Sequence, residues 1–107
     1  MRRMGHVVGV RPERIEEYER IHVEVWPEVL AALSSANITN YSIFRHGELL
    51  FSYWEYLGSD FEADIAKVAT DPVSQKWAAL TSKMQRAPDG AAPGQLWLPI
   101  PSVFHLD

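Results

Sequence analysis

Ile38-Thr39-Asn40-Tyr41-Ser42-Ile43-Phe44-Arg45-His46-Gly47-Glu48-Leu49-Leu50-Phe51-Ser52-Tyr53-Trp54-Glu55-Tyr56 holds two runs rich in aromatic and β-branched residues, 38–45 and 49–56. His46-Gly47 between them is a tight-turn signal, so the stretch reads as a β-hairpin. It lies mid-chain, with helical patterns on both sides, and that placement decides the fold.

Upstream, residues 4–10 (Met-Gly-His-Val-Val-Gly-Val) read as a first strand, short and mostly apolar. Arg11-Pro12 then starts a helix, with proline at the first helical position, where its missing N–H costs nothing. Ile15, Tyr18, Ile21, His22, Val25, Val29 and Leu33 follow a helical period, and Glu16 to Arg20 is a favourable i,i+4 pair. Pro27 falls inside this pattern and predicts a kink or a restart near Trp26. The helix should end by Ala36-Asn37.

Downstream, Ser59-Asp-Phe-Glu62 has the spacing of a capping box before Phe61, Ile65, Val68 and Ala69. Asp71-Pro72 reads as a second N-cap followed by proline at N1. The next helix carries Val73, Trp77, Leu80 and Met84 on one face. Residues 87–95 hold two prolines and two glycines and read as a loop. Trp97 to Leu106 reads as a last strand, with Pro99 and Pro101 early in it, where an edge or bulge tolerates them.

The order is β-α-β-β-α-β, with the second helical region split in two. This is the ferredoxin-like arrangement of the α+β class, a four-stranded antiparallel sheet with helices on one face. The other face stays bare. Several of the four Trp, four Tyr and four Phe lie on strands, so a bare face would be an adhesive patch. Two such sheets packed face to face would bury it, which predicts a homodimer.

At 107 residues the chain has the size of a single domain, 1–107. Ten basic and fourteen acidic residues give a net charge of −4, with no Lys/Arg stripe, so no nucleic-acid partner is expected. The absence of cysteine removes disulfides, thiol nucleophiles and Cys-based metal sites, and leans toward a cytoplasmic setting. Arg2-Arg3 is not followed by the apolar stretch of an export signal, and no apolar run is long enough to span a membrane. The four histidines, 6, 22, 46 and 105, form no metal-binding pair and have no acidic cluster at ligand spacing, so no metal site is expected. Serine-hydrolase, P-loop and dinucleotide motifs are also missing.

What remains is the stripe Tyr18, His22, Trp26, one helical turn apart. A plain core stripe would be aliphatic; this one sets a titratable imidazole between two rings. On the residues alone, a half-buried histidine satisfied by a backbone carbonyl is the commoner arrangement. The functional alternative is a general acid, because an imidazole with an ordinary pKa of ~6.5 gives and takes a proton near neutral pH. Tyr41 and Trp77 have the same two readings, ordinary packing or a wall of a pocket beside His22.

Four segments carry a resemblance. They are Glu16-Glu-Tyr18-Glu-Arg20-Ile-His22-Val-Glu-Val-Trp26-Pro-Glu28, then Asn40-Tyr41, then Asp71-Pro-Val-Ser-Gln-Lys76-Trp77, and finally Val103-Phe-His-Leu-Asp107. In these the chain resembles the L-rhamnose mutarotase family, over almost its whole length. The resemblance implies a dimeric α+β barrel and an aldose 1-epimerase without cofactor. It would interconvert the anomers of a 6-deoxy-L-hexose, L-rhamnose or a relative such as L-fucose. By position it puts the proton donor on His22 and sugar contacts on Tyr18, Tyr41 and the pair Lys76-Trp77. The family commonly has two adjacent tryptophans there, and Lys76 replaces the first ring with a cation. The general base is left open between Tyr41 and a bound water. Two other readings stand beside this one. Small dimeric ferredoxin-like barrels also serve as cofactor-free monooxygenases or haem-degrading enzymes, and a plain sugar-binding module would share the pocket.

Overall fold

The structure, a computed structural model, describes residues 1–107. Strand β1 (Arg2–Val10) leads through a 3-10 turn (Pro12–Arg14) into α1 (Ile15–Ile21) and then α2 (Pro27–Ser35). The hairpin β2 (Ile38–His46) and β3 (Leu49–Tyr56) follows, then α3 (Phe61–Thr70), α4 (Pro72–Ser82), β4 (Gln85–Arg86) and β5 (Leu98–Ile100). The sheet order is β2-β3-β1-β4, all antiparallel, with β5 also pairing β1. The α+β, ferredoxin-like expectation is met.

Local chemistry explains the elements and the departures from expectation. Gly47, at φ 57, makes the hairpin turn. The expected break at Pro27 is complete: Trp26 has extended backbone (φ −54, ψ 130), and α2 restarts with Pro27 at its first turn. The Glu16–Arg20 pair does not form. Arg14 bonds Glu17 instead, and Glu19 reaches Arg45 on β2, a cross-element partner that α1 spacing does not reveal. The cap of α3 is Asp60, whose carboxylate accepts from the Ala63 N–H, and not Ser59. Asp71 caps α4 as expected, accepting from Ser74 N at 2.8 Å. The last strand is only Leu98–Ile100, and residues 101–107 have no regular structure. The edge of β1 is already shared, with Gln85–Arg86 on Gly9 and Val10, a two-residue strand that no pattern announces.

Direct register pairs put three rows on the helix-facing side of the sheet. They are Arg45–Leu50–Val8, Ile43–Ser52–His6, and a row in which Trp54 faces Met4. Two apolar clusters flank the middle row. In one, Tyr18 of α1 packs with Val8, Val10, Leu50 and Met84. In the other, Trp54 and Tyr56 pack with Ala36 and Ile38, against Leu33, Phe61 and Val68. The helices therefore cover one face. The opposite face carries an apolar row, Phe44–Phe51–Val7–Leu98, with Phe44 66% exposed.

The second cluster is closed by a buried carboxylate. Asp64 accepts from Tyr56 Oη at 2.6 Å and Asn37 Nδ2 at 3.0 Å, and pairs with Lys67 Nζ at 3.1 Å. A Cβ on Gly58 would fall on the Tyr56–Asp64 bond, which is why glycine stands there. These donors, the Tyr56 hydroxyl first, hold the Asp64 carboxyl down at about 2, against an ordinary 3.8. A pKa lowered by folding adds stability that is complete above the ordinary value and lost as pH falls from about 4 toward about 2. Asp64→Asn should lower the urea midpoint at pH 7, and the gap to the natural protein should narrow between pH 4 and pH 2. A gap of the same size at both pH values would remove the charge from this account.

Candidate active site

His22 caps the C-terminus of α1. Its Nδ1 lies 2.6 Å from the main-chain carbonyl of Tyr18, and since a carbonyl only accepts, Nδ1 carries the proton. Nε2 is left without a hydrogen-bond partner. Burial pushes the imidazole below its usual 6.5, and the bond to the Tyr18 carbonyl pulls the other way by favouring the charged form. Both readings of His22 thus meet in one geometry: the carbonyl satisfies one nitrogen and orients the other.

Rings surround it. Tyr18 stacks on His22 at 4.2 Å between centroids, and Trp77 of α4 meets it edge-on at 5.2 Å. Trp26 packs edge-on against Trp77 at 5.0 Å. The Pro27 break takes Trp26 off the helix, so it does not continue the Tyr18–His22 stripe. It braces Trp77 from the start of α2. Tyr18 is buried, and the buried Gln85 of β4 donates to its hydroxyl at 3.3 Å. Burial raises the Tyr18 phenol's pKa, with the Gln85 bond opposing. That hydroxyl keeps its own proton to donate.

Tyr41 reaches the helix-facing side by a backbone irregularity. Between the pairs Thr39–Glu55 and Ser42–Tyr53, Asn40 and Tyr41 both stand opposite Trp54. Asn40 takes up the extra residue at φ 49, a left-handed value that Asn tolerates. The Tyr41 ring stacks on Trp54 at 6.3 Å. Its edge is exposed, but burial of the hydroxyl pushes it up to about 12, with Tyr18 adding to the effect. A phenol that hard to ionise does not serve as a base near neutral pH. Lys76 is exposed and makes no hydrogen bond or ion pair, so the structure joins Tyr18, His22 and Trp77 by contact and leaves Lys76 outside that cluster.

A recess of about 220 Å³ opens beside α1, lined by Tyr18, His22, Ile43 and Leu50 among others. The Glu19–Arg45 pair, at 2.5 Å, crosses its rim from α1 to β2. The arrangement offers a fixed imidazole, two hydroxyls and several ring faces, with no cluster of metal-ligating side chains. That suits proton transfer on a small neutral ligand with both hydroxyls and C–H faces.

Comparison with known proteins places this chemistry. A family model described as L-rhamnose mutarotase matches residues 3–106. The chain belongs to the L-rhamnose mutarotase family. It is 38% identical over 112 residues to the L-fucose mutarotase of Xanthomonas campestris pv. campestris, covering 99% of this chain and 89% of that protein. It is 32% identical over 109 residues to the L-rhamnose mutarotase of Oceanobacillus iheyensis, with 100% of both covered. An L-rhamnose mutarotase from Formosa agariphila, solved by crystallography, shares the fold at a TM-score of 0.79 and 18% identity over the full length of both chains. The expectation of a mutarotase, an isomerase acting on carbohydrate, is met at the level of the family. The monooxygenase, haem-degrading and plain binding-module readings give way to it.

Three residues that no motif announces touch this cluster or its neighbours: Gln85 bonds Tyr18, Trp54 stacks on Tyr41, and His6 stacks on Trp54. In the sequence His6 reads only against a metal-ligand pattern and Trp54 only as a strand aromatic, and Gln85 belongs to no motif. The signal for His6 was present: in a strand read with period two, Met4, His6, Val8 and Val10 share one face, and a histidine on a core face asks for an explanation. Gln85 gave no such signal.

Proposed function

We propose that this mutarotase interconverts the α and β anomers of a 6-deoxy-L-hexose, L-fucose or L-rhamnose, by opening and closing the sugar ring. One observation carries the mechanism: His22 is tied through Nδ1 to the Tyr18 carbonyl, so Nε2 alone faces the chemistry. In the charged imidazolium form, Nε2–H gives its proton to the ring oxygen as the C1–O5 bond breaks. A bound water takes the proton of the anomeric hydroxyl, whose O–H electron pair forms the aldehyde C=O. Rotation about C1–C2 and closure by the reverse transfers deliver either anomer.

The surrounding residues hold the sugar. The Tyr18 hydroxyl, which accepts from Gln85, keeps its proton to donate to a sugar hydroxyl. Trp77 and Tyr41 offer ring faces to the C–H side and methyl group of a 6-deoxy sugar, a partition of apolar and polar contacts usual for such sites. Lys76, where the first of the family's two adjacent rings stands, puts a flexible, exposed cation at the margin that can reach a sugar hydroxyl. No cofactor enters the scheme.

Saturation transfer between the two anomeric protons of L-fucose and of L-rhamnose tests the reading. Exchange above the spontaneous rate is expected for at least one of them. Exchange at the spontaneous rate for both would overturn the proposal.

The protein is proposed to act as a homodimer, its partner a second copy seated on the Phe44–Phe51–Val7–Leu98 row. A row of this kind is rarely left bare on a monomer. Sedimentation velocity should give twice the mass of the 12.2 kDa chain, and Phe44→Glu should shift it toward the monomer. A monomer at micromolar concentration would count against the dimer.

A further inference from the structure

A 6-deoxy-L-hexose carries hydroxyls at C2, C3 and C4 besides the anomeric one, and each of them donates as well as accepts. The groups assigned to the sugar so far are donors and ring faces. His22 gives a proton to the ring oxygen, the Tyr18 hydroxyl and Lys76 donate, and Trp77 and Tyr41 offer faces. No anionic acceptor is among them.

Glu19 supplies one. It follows Tyr18 in α1, and its carbonyl accepts from the His22 main-chain N–H at 3.2 Å, so the three share the end of that helix. Glu19 lines the recess with Tyr18 and His22. Arg45 lines it from β2, on the Arg45–Leu50–Val8 row that faces the helices. Arg45 Nε donates to Glu19 Oε2 at 2.5 Å, and Arg45 Nη1 donates to the Gly47 carbonyl at 3.1 Å. The hairpin turn thus steadies the guanidinium, and the guanidinium steadies the carboxylate. Of the residues lining the recess, Glu19 is the one anion and Arg45 the one permanent cation.

A clasp between α1 and β2 is the other use for such a pair. With the Arg45 and Glu19 side chains 36% and 52% exposed, water solvates both charges, and a pair in that setting adds little to stability. Holding the fold is a weak reason for two opposite charges on the rim of a recess that also contains a proton donor.

We propose that Glu19 and Arg45 form the hydroxyl-reading end of the sugar site, binding two adjacent hydroxyls among those at C2, C3 and C4. This rests on the mutarotase reading above. A carboxylate has more lone pairs, and a guanidinium more N–H groups, than their mutual bond uses. The pair keeps that bond and still offers an acceptor and a donor side by side. Adjacent ring hydroxyls match this, because their oxygens lie about one hydrogen-bond length apart. One hydroxyl donates to the Glu19 carboxylate, and its neighbour accepts from the Arg45 guanidinium. Bonds of this charge-assisted kind are roughly twice as strong as neutral ones. The sugar's own shape supports the assignment. In a pyranose C3 lies across the ring from O5, so a sugar with O5 at His22 turns its C2–C4 hydroxyls away from the imidazole. The rim pair binds them there without touching the atoms that react.

The test uses Glu19→Gln and Arg45→Met with L-fucose, L-rhamnose and their 3-deoxy analogues. O3 belongs to either adjacent pair, so a 3-deoxy sugar breaks both. Each variant should raise KM for anomer exchange by about 10-fold or more, the usual loss for a hydrogen bond to a charged group. The change in kcat should stay within about twofold, since these contacts are the same before and during ring opening. The natural protein should show a raised KM for the 3-deoxy sugar, and at least one of the variants should raise it no further. A clasp would act differently. It would lower the urea midpoint and change exchange equally for the parent and 3-deoxy sugars. That pattern overturns the proposal, and so does an unchanged KM for both parent sugars in both variants. If the natural protein fails to catalyse exchange, the mutarotase reading falls, and sugar affinity followed by tryptophan fluorescence makes the same comparison. Affinity lost in the variants for the parent sugar but not for its 3-deoxy analogue keeps the hydroxyl assignment. Equal affinities, or no binding, remove it.

Discussion

His22→Ala should lose catalysed anomer exchange by about 100- to 10,000-fold, the range a positioned acid–base group contributes. The loss should fall on kcat, because the ring faces of Trp77 and Tyr41 remain for binding. Spontaneous mutarotation sets the floor, so saturation transfer must be read against buffer at the same sugar concentration. The fold should survive, since His22 is half-buried at a helix end and Tyr18 keeps its core contacts. The natural protein's pH profile carries the second half of this prediction. His22 acts as an acid only when charged, and burial has lowered its pKa from 6.5. Catalysis should therefore decline as pH rises through a midpoint below that value. That limb should be absent from the residual activity of His22→Ala. A variant with full exchange, or the same alkaline limb without His22, would move the acid elsewhere.

Some of this geometry was legible in the chain and some was not, for identifiable reasons. Tyr18 and His22 meet because four residues make one helical turn, and α1 is intact between them. Trp26 follows the same spacing but lies beyond the end of α1, and Pro27 restarts the chain in a new direction. Its contact with Trp77 is tertiary and has no local signature. Tyr41 is the opposite case. Strict alternation from Ile38 would send it to the bare face, and only the extra residue at Asn40 returns it to the helix side. Asn tolerates that conformation without requiring it, so the bulge cannot be read from the residue type. The core strands of the fold were legible from their runs, whereas β4 and the shortening of β5 depend on which segments share the free edge of β1. That competition is settled by packing at a distance.

Leu50→Ala should destabilise the protein by about 2–5 kcal/mol, the usual cost of emptying a well-packed leucine site. Leu50 is 2% exposed at the centre of the cluster that holds Val8, Val10, Tyr18 and Met84. In a domain of this size each kcal/mol shifts Tm by roughly 4–8 °C. Urea unfolding should show the loss as a lower midpoint with an unchanged slope, since the surface exposed on unfolding is nearly the same. The same residue lines the recess under Tyr18, so its removal also tests how the site is held. Tyr18 has two supports, the apolar packing around Leu50 and the Gln85 bond to its hydroxyl. If packing sets the ring's position, the stack on His22 loosens and the exchange rate per folded molecule drops, with sugar affinity weakened as well. If the hydroxyl bond sets it, stability falls while exchange per folded molecule is unchanged, and Gln85→Leu should then produce the catalytic defect that Leu50→Ala lacks. The cluster is expected to dominate, because a single neutral hydrogen bond of 3.3 Å contributes roughly 1 kcal/mol, less than the packing of a buried leucine.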